Sequence, residues 1–500
     1  MTDLPSGLAP LILQGHVIDR LRELPENSIQ CVVTSPPFFG LRRYDVCGCS
    51  IKAVSSASFK AWGGSERTAE STGQYSASDP RAMKDPDPSC PWCHGTGKIE
   101  GMNDVLWGGS AECVHEWETA VIPSGDGQTT HSMIGATLNP HSATRSPRAS
   151  VSCAQCGAWK GQFGLEPSVQ MYVAHAVEIF REARRVLRHD GTCWVEIGDS
   201  FSTRGAVAPR EKNLMLVPQR LAISLQDDGW IVRSIVIWHR QNPMPESVRD
   251  RPTQSHSYIL MLTKGPRYFF DAEPLRQHNP RADETFKVYG NKGELGARVA
   301  RADAGRPIVQ NPNGSNPKSV WTLPPKGYPG AHFATFPESL PERCILASTS
   351  ERGACPKCGA PRERVMSDGG PDLEWQRACG GDADGEYHGE AIKRYEGTGA
   401  ENASDVKRRI LAGLRRRQTV GWRPTCSCGE SATVPCTVLD PFAGSGTTLA
   451  VAKRLGRASV GIEMNPMYVS LIQQRVAEAI TESVHHPSQR RLVEFGEATA

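Results

Sequence analysis

An α/β fold, with helices packed on a mostly parallel sheet, is what this sequence predicts, on three observations. Apolar runs of strand length alternate with helical stretches through the middle of the chain and again near its end. The last quarter contains a complete strand–helix–strand–helix unit. A Gly-rich turn joins the first strand of that unit to its helix, a junction that leaves backbone N–H groups free for a ligand.

The elements follow in order. A short helical stretch after Gly15–Asp19 leads to the apolar strand Ile29–Val33, which ends in Thr34-Ser35-Pro36-Pro37-Phe38. From about Cys47 to Gly157 the chain is rich in Gly, Ser, Thr, Pro and Cys and has little periodicity, so a loop-rich insertion is expected. Val173, Ala176, Val177, Phe180, Ala183 and Leu187 then keep helical spacing. Asp190-Gly191 reads as a turn before the strand Thr192–Ile197. A helix over 213–228, a strand over 230–238 and a strand over 258–263 come next. Residues 272–330 are polar and weakly periodic. Near the end lie a strand over 436–439, a helix over 446–455, a strand over 458–462 and a helix over 466–480.

The 500 residues leave room for several domains and a sizeable core. Hydrophobic residues make up 38% and charged residues 22%, which argues against disorder along the whole chain. No window is apolar enough for a transmembrane helix, and the N-terminal run lacks the features of a signal peptide. With 57 Lys and Arg against 54 Asp and Glu, the net charge is +3. This excludes histone-like wrapping of nucleic acid but not a local basic groove. A soluble, cytoplasmic protein without membrane attachment is expected.

The run Val438-Leu439-Asp440-Pro441-Phe442-Ala443-Gly444-Ser445-Gly446-Thr447 feeds a strand into a helix N-terminus. Its glycines let backbone approach a ligand closely, and Glu463, at the end of the next strand, suits the two hydroxyls of an adenosine ribose. A phosphate loop would need a Lys after Gly446, and a nicotinamide fold a third Gly; neither is present. A purely structural turn is the bland alternative. At the other end of the chain, two consecutive prolines hold Ser35 and Pro36 extended. The Ser35 hydroxyl and Pro36 carbonyl then offer acceptors beside the flat ring of Phe38, an array suited to an amino group on a planar base. A plain Pro-rich turn is the alternative.

Together the two runs resemble the beta group of the N4-cytosine/N6-adenine DNA methyltransferases. Ser35, Pro36, Pro37 and Phe38 match the family's catalytic loop, and Asp440 to Thr447 match its S-adenosylmethionine loop. The order, catalytic loop first, is that of a circularly permuted Rossmann-like class I methyltransferase sheet of seven strands. Val195–Ser200, Ile235–Trp238 with Asn242–Pro245, and residues 332–340 add weaker matches. The resemblance implies S-adenosylmethionine held by Asp440, Pro441, Phe442, Gly444, Gly446, Thr447, Glu463 and Phe333. It further implies double-stranded DNA as substrate, base flipping onto Phe38, and a bacterial or phage source with a restriction nuclease as companion. Ser rather than Asp at position 35 is associated in the family with N4-cytosine; N6-adenine is the alternative. Two other readings are an RNA or protein amino-methyltransferase and a zinc-dependent nucleic-acid-binding module on a degenerate scaffold.

Six paired motifs carry cysteine: Cys47/Cys49, Cys90/Cys93, Cys113/His115, Cys153/Cys156, Cys355/Cys358 and Cys426/Cys428. If neighbours in sequence combine, they form three tetrahedral sets of the kind structural zinc prefers, giving one to three ions. Reduced loop thiols or one redox pair are the alternative. Cys31, Cys193 and Cys436 fall in strands and read as buried small hydrophobes. Two basic runs, Lys407–Arg409 and Arg415–Arg417, suit either a solvated helix face or phosphate contacts.

The expected organisation is a catalytic-loop part (1–46), a zinc-binding insertion (47–159), the continued methyltransferase sheet (160–271) and a target-recognition segment (272–330). A cofactor-side segment (331–350), a second zinc-binding insertion (351–430), the cofactor-binding unit (431–485) and a tail (486–500) complete it.

Overall fold

The computed structural model describes residues 4–5, 7–40, 89, 105–110, 112–122, 148–202, 210–243, 246, 248–276, 315–324, 336–367, 369, 373, 377 and 417–483. Phe333, Cys47, Cys49, Cys90 and Cys93 lie outside these residues, as do the basic runs apart from Arg417.

In chain order the first elements are β1 (Leu11–Gln14), α1 (Val17–Glu23), β2 (Ile29–Thr34), β3 (Leu106–Trp107), β4 (Trp117–Ile122), β5 (Arg148–Cys153) and β6 (Trp159–Lys160). Next come α2 (Val169–Val186), β7 (Leu187–Ile197), α3 (Val217–Asp227), β8 (Ile231–His239), β9 (His256–Thr263), β10 (Val320–Thr322) and α4 (Ser339–Ser348). The last are β11 (Arg362–Met366), β12 (Thr419–Pro424), β13 (Thr437–Asp440), α5 (Thr447–Arg454), β14 (Ala458–Glu463) and α6 (Pro466–Ser483).

The chain divides into two compact units. One comprises residues 1–270, 319–361 and 426–500; the other comprises 271–318 and 362–425, with the antiparallel pair β11–β12. In the first unit an eight-stranded sheet runs β1-β14-β13-β2-β7-β9-β8-β10. Neighbours are parallel except at β9, which is antiparallel to both β7 and β8. The expectation of seven strands and parallel packing is corrected to eight strands in a mixed sheet. Among its described residues the connection from β8 to β9 has no helix to carry a crossover, and the chain turns back beside itself. The edge strands β1 and β10, absent from the expected elements, have four and three residues.

Every residue of β2 is buried, as in a strand covered on both faces. The helix α2 begins where Ser168 accepts a hydrogen bond from the Met171 N–H at 3.2 Å. Its buried stripe includes Val169, Tyr172, Val173, Ala176, Ile179, Phe180 and Ala183. Phe180 is fully buried in the main core, so Phe180→Ala would cost about 3–5 kcal/mol.

Two local readings change. Asp190-Gly191 lies inside β7, where the register with β2 jumps from Ile29↔Leu187 to Cys31↔Thr192. Gly191 passes so close that a Cβ would meet the Gln30 carbonyl oxygen at 2.8 Å, which a side chain could not tolerate. The supposedly loop-rich insertion also contains structure: β3, β6, β5 and β4 form an antiparallel sheet. Two of its strands have only two residues, so no alternation was there to detect.

Candidate active site and metal clusters

Strands β2 and β13 are parallel neighbours, with Val438 opposite Cys31 and Leu439 opposite Val32. Parallel strands end at the same edge, so the loops after Thr34 and after Asp440 emerge side by side. A buried hydrogen bond joins them: the Thr34 hydroxyl donates to Asp440 Oδ1 at 2.7 Å. The Thr448 hydroxyl reaches back to the Val33 carbonyl at 3.4 Å.

In the first loop the Ser35 hydroxyl donates to Glu196 Oε2 at 2.7 Å, the carboxylate standing near the end of β7. A serine has one proton, and here it is engaged, so toward a ligand Ser35 can only accept. Pro36 is buried, and the Pro37 carbonyl accepts from the Tyr172 hydroxyl at 2.9 Å. Phe38 lies against Gly198, where a Cβ would come within 2.7 Å of its ring. Only glycine leaves room for that contact.

In the second loop Gly444 and Gly446 hold φ of 52° and 78°, left-handed values that favour glycine and that turn the chain into α5. Asp440 Oδ1 also accepts from the Phe442 N–H at 3.0 Å, and burial pushes the carboxyl up to about 6. Glu463 accepts from the Gly444 N–H at 2.9 Å and the Asn465 N–H at 2.8 Å. Burial pushes it up to about 7 against those two donors. The carboxylate thus braces the loop and still has lone pairs at a partly exposed position. Phe442 stacks on Phe163 at 5.7 Å.

The sequence matches the family of DNA methylases that modify exocyclic amines (N6/N4 methyltransferases) over residues 29–355 and 434–474. The chain belongs to this family. The DNA methylase is 31% identical over 336 residues to the type II methyltransferase M.Cfr9I of Citrobacter freundii, covering 63% of this chain and 74% of that one. To M.SmaI of Serratia marcescens it is 28% identical over 339 residues, 63% of this chain and 77% of that one. Among solved structures it is similar to PvuII DNA methyltransferase (cytosine-N4-specific), with a TM-score of 0.39, 12% identity, and 95% and 94% of the two chains covered. The methyl donor of the family is S-adenosylmethionine and its substrate is DNA. The residues present suit that donor: a glycine-lined helix N-terminus and an accessible acid closing the next strand.

Two residues of the methylase, Arg475 and Glu196, have roles that its sequence alone did not assign. Arg475 of α6 donates to Ser445 Oγ at 2.9 Å, Thr447 Oγ1 at 2.8 Å and Glu338 Oε1 at 3.0 Å. Glu338 also accepts from Arg454 at 2.7 Å, and the two guanidinium groups hold its carboxyl low against the opposing effect of burial. No local pattern marks Arg475, because its partners are about thirty positions or more away in sequence. Glu196 did carry a signal: an acid in the apolar, buried run Cys193–Ile197 that ends β7.

Two side-chain clusters bring their donor atoms within 4.8 Å of one another: Cys113, His115, Cys153 and Cys156, and Cys355, Cys358, Cys426 and Cys428. These match two of the three sets expected from order in sequence. The Cys113 and Cys153 sulfurs are 3.8 Å apart, and the Cys156 sulfur lies 3.3 Å from His115 Nδ1. A tetrahedral zinc with bonds of about 2.3 Å to sulfur spaces its ligands by nearly that distance. In the first cluster, burial opposes ionisation of Cys153, but the Cys156 N–H and His115 bring it down to about 6. Cys113 is pushed up to about 12 by burial and by its bonds to Cys156 and Cys153. In the second, the Cys358 N–H lowers Cys355 to about 7, while hydrogen bonds to Cys358 and Cys426 raise Cys428 to about 12. Backbone N–H groups lower Cys156 as well, so the first cluster favours two thiolates and resists a third at Cys113, while the second favours one at Cys355 and resists others at Cys358 and Cys428, the pattern of a set short of positive charge.

The second cluster is tied to the bottom of the central sheet. Gln30 donates to the Gly359 carbonyl at 2.9 Å and accepts from the Thr437 N–H at 2.7 Å. Arg188 donates to the Cys358 carbonyl and pairs with Asp190. Cys31, Cys193 and Cys436 are buried, as their strands implied.

Proposed function

We propose that this DNA methylase transfers methyl to the N4 amino group of a flipped cytosine, with Ser35, Pro36, Pro37 and Phe38 as the catalytic loop. The observation that carries the reading is the Ser35–Glu196 hydrogen bond, which turns a neutral hydroxyl into a dedicated acceptor. An exocyclic amine is a poor nucleophile while its lone pair is delocalised into the ring. Accepting one N–H at Ser35 and the other at the Pro36 carbonyl favours a pyramidal nitrogen whose lone pair is free. As nitrogen gains carbon it must lose a proton, and Ser35 can pass one to the Glu196 carboxylate. Phe38 supplies the stacking face for the extruded ring.

Asp440, Pro441, Phe442, Gly444, Gly446, Thr447 and Glu463 would hold the donor, Glu463 through the ribose and Asp440 beside the reacting end. Bound S-adenosylmethionine supplies an electrophilic sulfonium methyl. Phe333, outside the described residues, remains part of this reading. The two side-chain clusters would each hold one structural zinc, and residues 272–330 would supply target recognition.

The test is to incubate the protein with unmethylated DNA and S-adenosylmethionine, digest to nucleosides and identify the product by mass. N4-methylcytosine supports the proposal, N6-methyladenine replaces the base assignment, and no methylated nucleoside on a diverse DNA panel overturns it.

A further inference from the structure

The catalytic loop has a far side that the chemistry above does not use. After Phe38 and Phe39 the chain reaches Gly40, whose N–H donates to the Gly164 carbonyl at 2.7 Å. Gly164 holds φ of 94°, and a Cβ on it would lie 3.1 Å from the Pro37 side chain. Its own N–H donates to Glu166 Oε2 at 2.8 Å. The other oxygen of Glu166 meets His175 Nδ1 at 3.1 Å, and both side chains are almost fully buried. A carboxylate can only accept, so the imidazole carries its proton on Nδ1.

His175 lies one turn beyond Tyr172 on α2, the residue whose hydroxyl holds the Pro37 carbonyl. One helix face therefore supports the loop at two places, directly through Tyr172 and through Glu166 and Gly164. The imidazole is itself clamped. Trp107 of β3 stacks against it with ring centroids 5.1 Å apart at 24°, and Trp159 of β6 with centroids 5.7 Å apart at 18°. Trp107 is fixed in turn by donating its indole N–H to the Gly161 carbonyl at 2.9 Å. Both indoles belong to the small sheet that carries Cys153 and neighbours the other ligands of the first cluster.

We propose that Glu166 and His175 are positioning residues for methyl transfer. They set the rim of the base pocket at Pro37–Gly40, and the small cysteine-bearing sheet holds them in place through the two indoles. A buried carboxylate is a costly brace for a loop, because any displacement leaves it short of a donor. That cost makes the rim rigid, and rigidity is what in-line transfer to a flipped base requires. The inference rests on the reading of Ser35–Phe38 as the catalytic loop.

The experiment compares the full-length, metal-replete protein with Glu166→Leu, Glu166→Gln, His175→Phe and Ser35→Ala. It measures kcat on unmethylated phage DNA, S-adenosylmethionine affinity by fluorescence titration, and thermal midpoint. Glu166→Leu is expected to lower kcat about 100-fold with cofactor affinity held within about twofold, since misplacement by about 1 Å has that effect on rate. Glu166→Gln is expected to recover most of the rate, because an amide oxygen still accepts the Gly164 N–H. Wild-type kcat in Glu166→Leu, equal losses in the Leu and Gln variants, or cofactor affinity falling in step with rate would each overturn the proposal. Should Glu166→Leu not fold, His175→Phe decides: it keeps an aromatic ring against the two indoles and loses the hydrogen bond. A drop of about tenfold in kcat alone supports the pair, as loss of one hydrogen bond predicts, and an unchanged kcat refutes it. Ser35→Ala separates the two levels: if it turns over at the wild-type rate the catalytic-loop reading itself fails, whatever Glu166 does.

Discussion

Replacing Asp440 by Asn should make the protein more stable at pH 8 while weakening its hold on the methyl donor. Burial raises the Asp440 carboxyl from an ordinary 3.8 to about 6. A folded-state value above the unfolded one means that stability from this group is fully present below about pH 4 and is lost as pH rises through 6. The difference of about two pH units corresponds to about 3 kcal/mol that the ionised carboxylate costs the fold above pH 6. Asn removes the charge and keeps the contacts. Its oxygen can still accept from the Thr34 hydroxyl and the Phe442 N–H, both of which use the single atom Oδ1. The Thr448 hydroxyl, which hydrogen-bonds the carboxyl and also reaches the Val33 carbonyl at 3.4 Å, can accept from the new amide by rotating its proton. The assay is urea unfolding without cofactor at pH 4.5 and pH 8. The wild-type midpoint should fall across that interval more than the variant's, and the variant should be the more stable at pH 8. A variant less stable than wild type at pH 8 would refute the reasoning, since it would mean that the carboxylate charge contributes favourably to the fold. On the proposed placement of Asp440 beside the reacting end, the same variant should bind S-adenosylmethionine more weakly, because it removes a negative charge from beside a cationic sulfonium.

Ser35→Ala should lower kcat by about 100- to 1000-fold, the scale for losing one preorganised hydrogen-bonding group, and leave cofactor affinity near wild type; binding isotherms beside turnover measure the split. Arg475→Met should weaken S-adenosylmethionine binding about tenfold, the equivalent of one charge-assisted hydrogen bond, by releasing Ser445 and Thr447; equilibrium titration reads it. Titrating the purified protein with an organomercurial should release at least two equivalents of zinc to a chromophoric chelator, and Cys355→Ser should remove one of them. Release of less than one equivalent would dismiss the metal reading.

Much of the site was readable from local pattern. The Gly-rich turn needs glycine where φ is positive, and two prolines stiffen their own segment, so both loops advertise themselves within a few residues. The C-x-x-C knuckles are equally local, and order in sequence was enough to group the two clusters that the structure brings together. What escaped were pairings between distant segments. Nothing near Arg475 points to Ser445, and nothing near His175 points to two indoles on another sheet. The four-stranded insertion escaped because strands of two residues have no period.

Residue order therefore dictated the chemistry this chain can carry: which acceptors, which glycines, which thiols. Packing decided what those groups do. Hydrogen bonding between β2 and β13 brings together segments some four hundred positions apart, and only that juxtaposition lets Thr34 reach Asp440 and sets the two loops side by side. The reason is physical. Backbone dihedral preferences act over a few residues and can be read along the chain, whereas a buried donor is satisfied by whichever acceptor the assembled core brings within 3 Å.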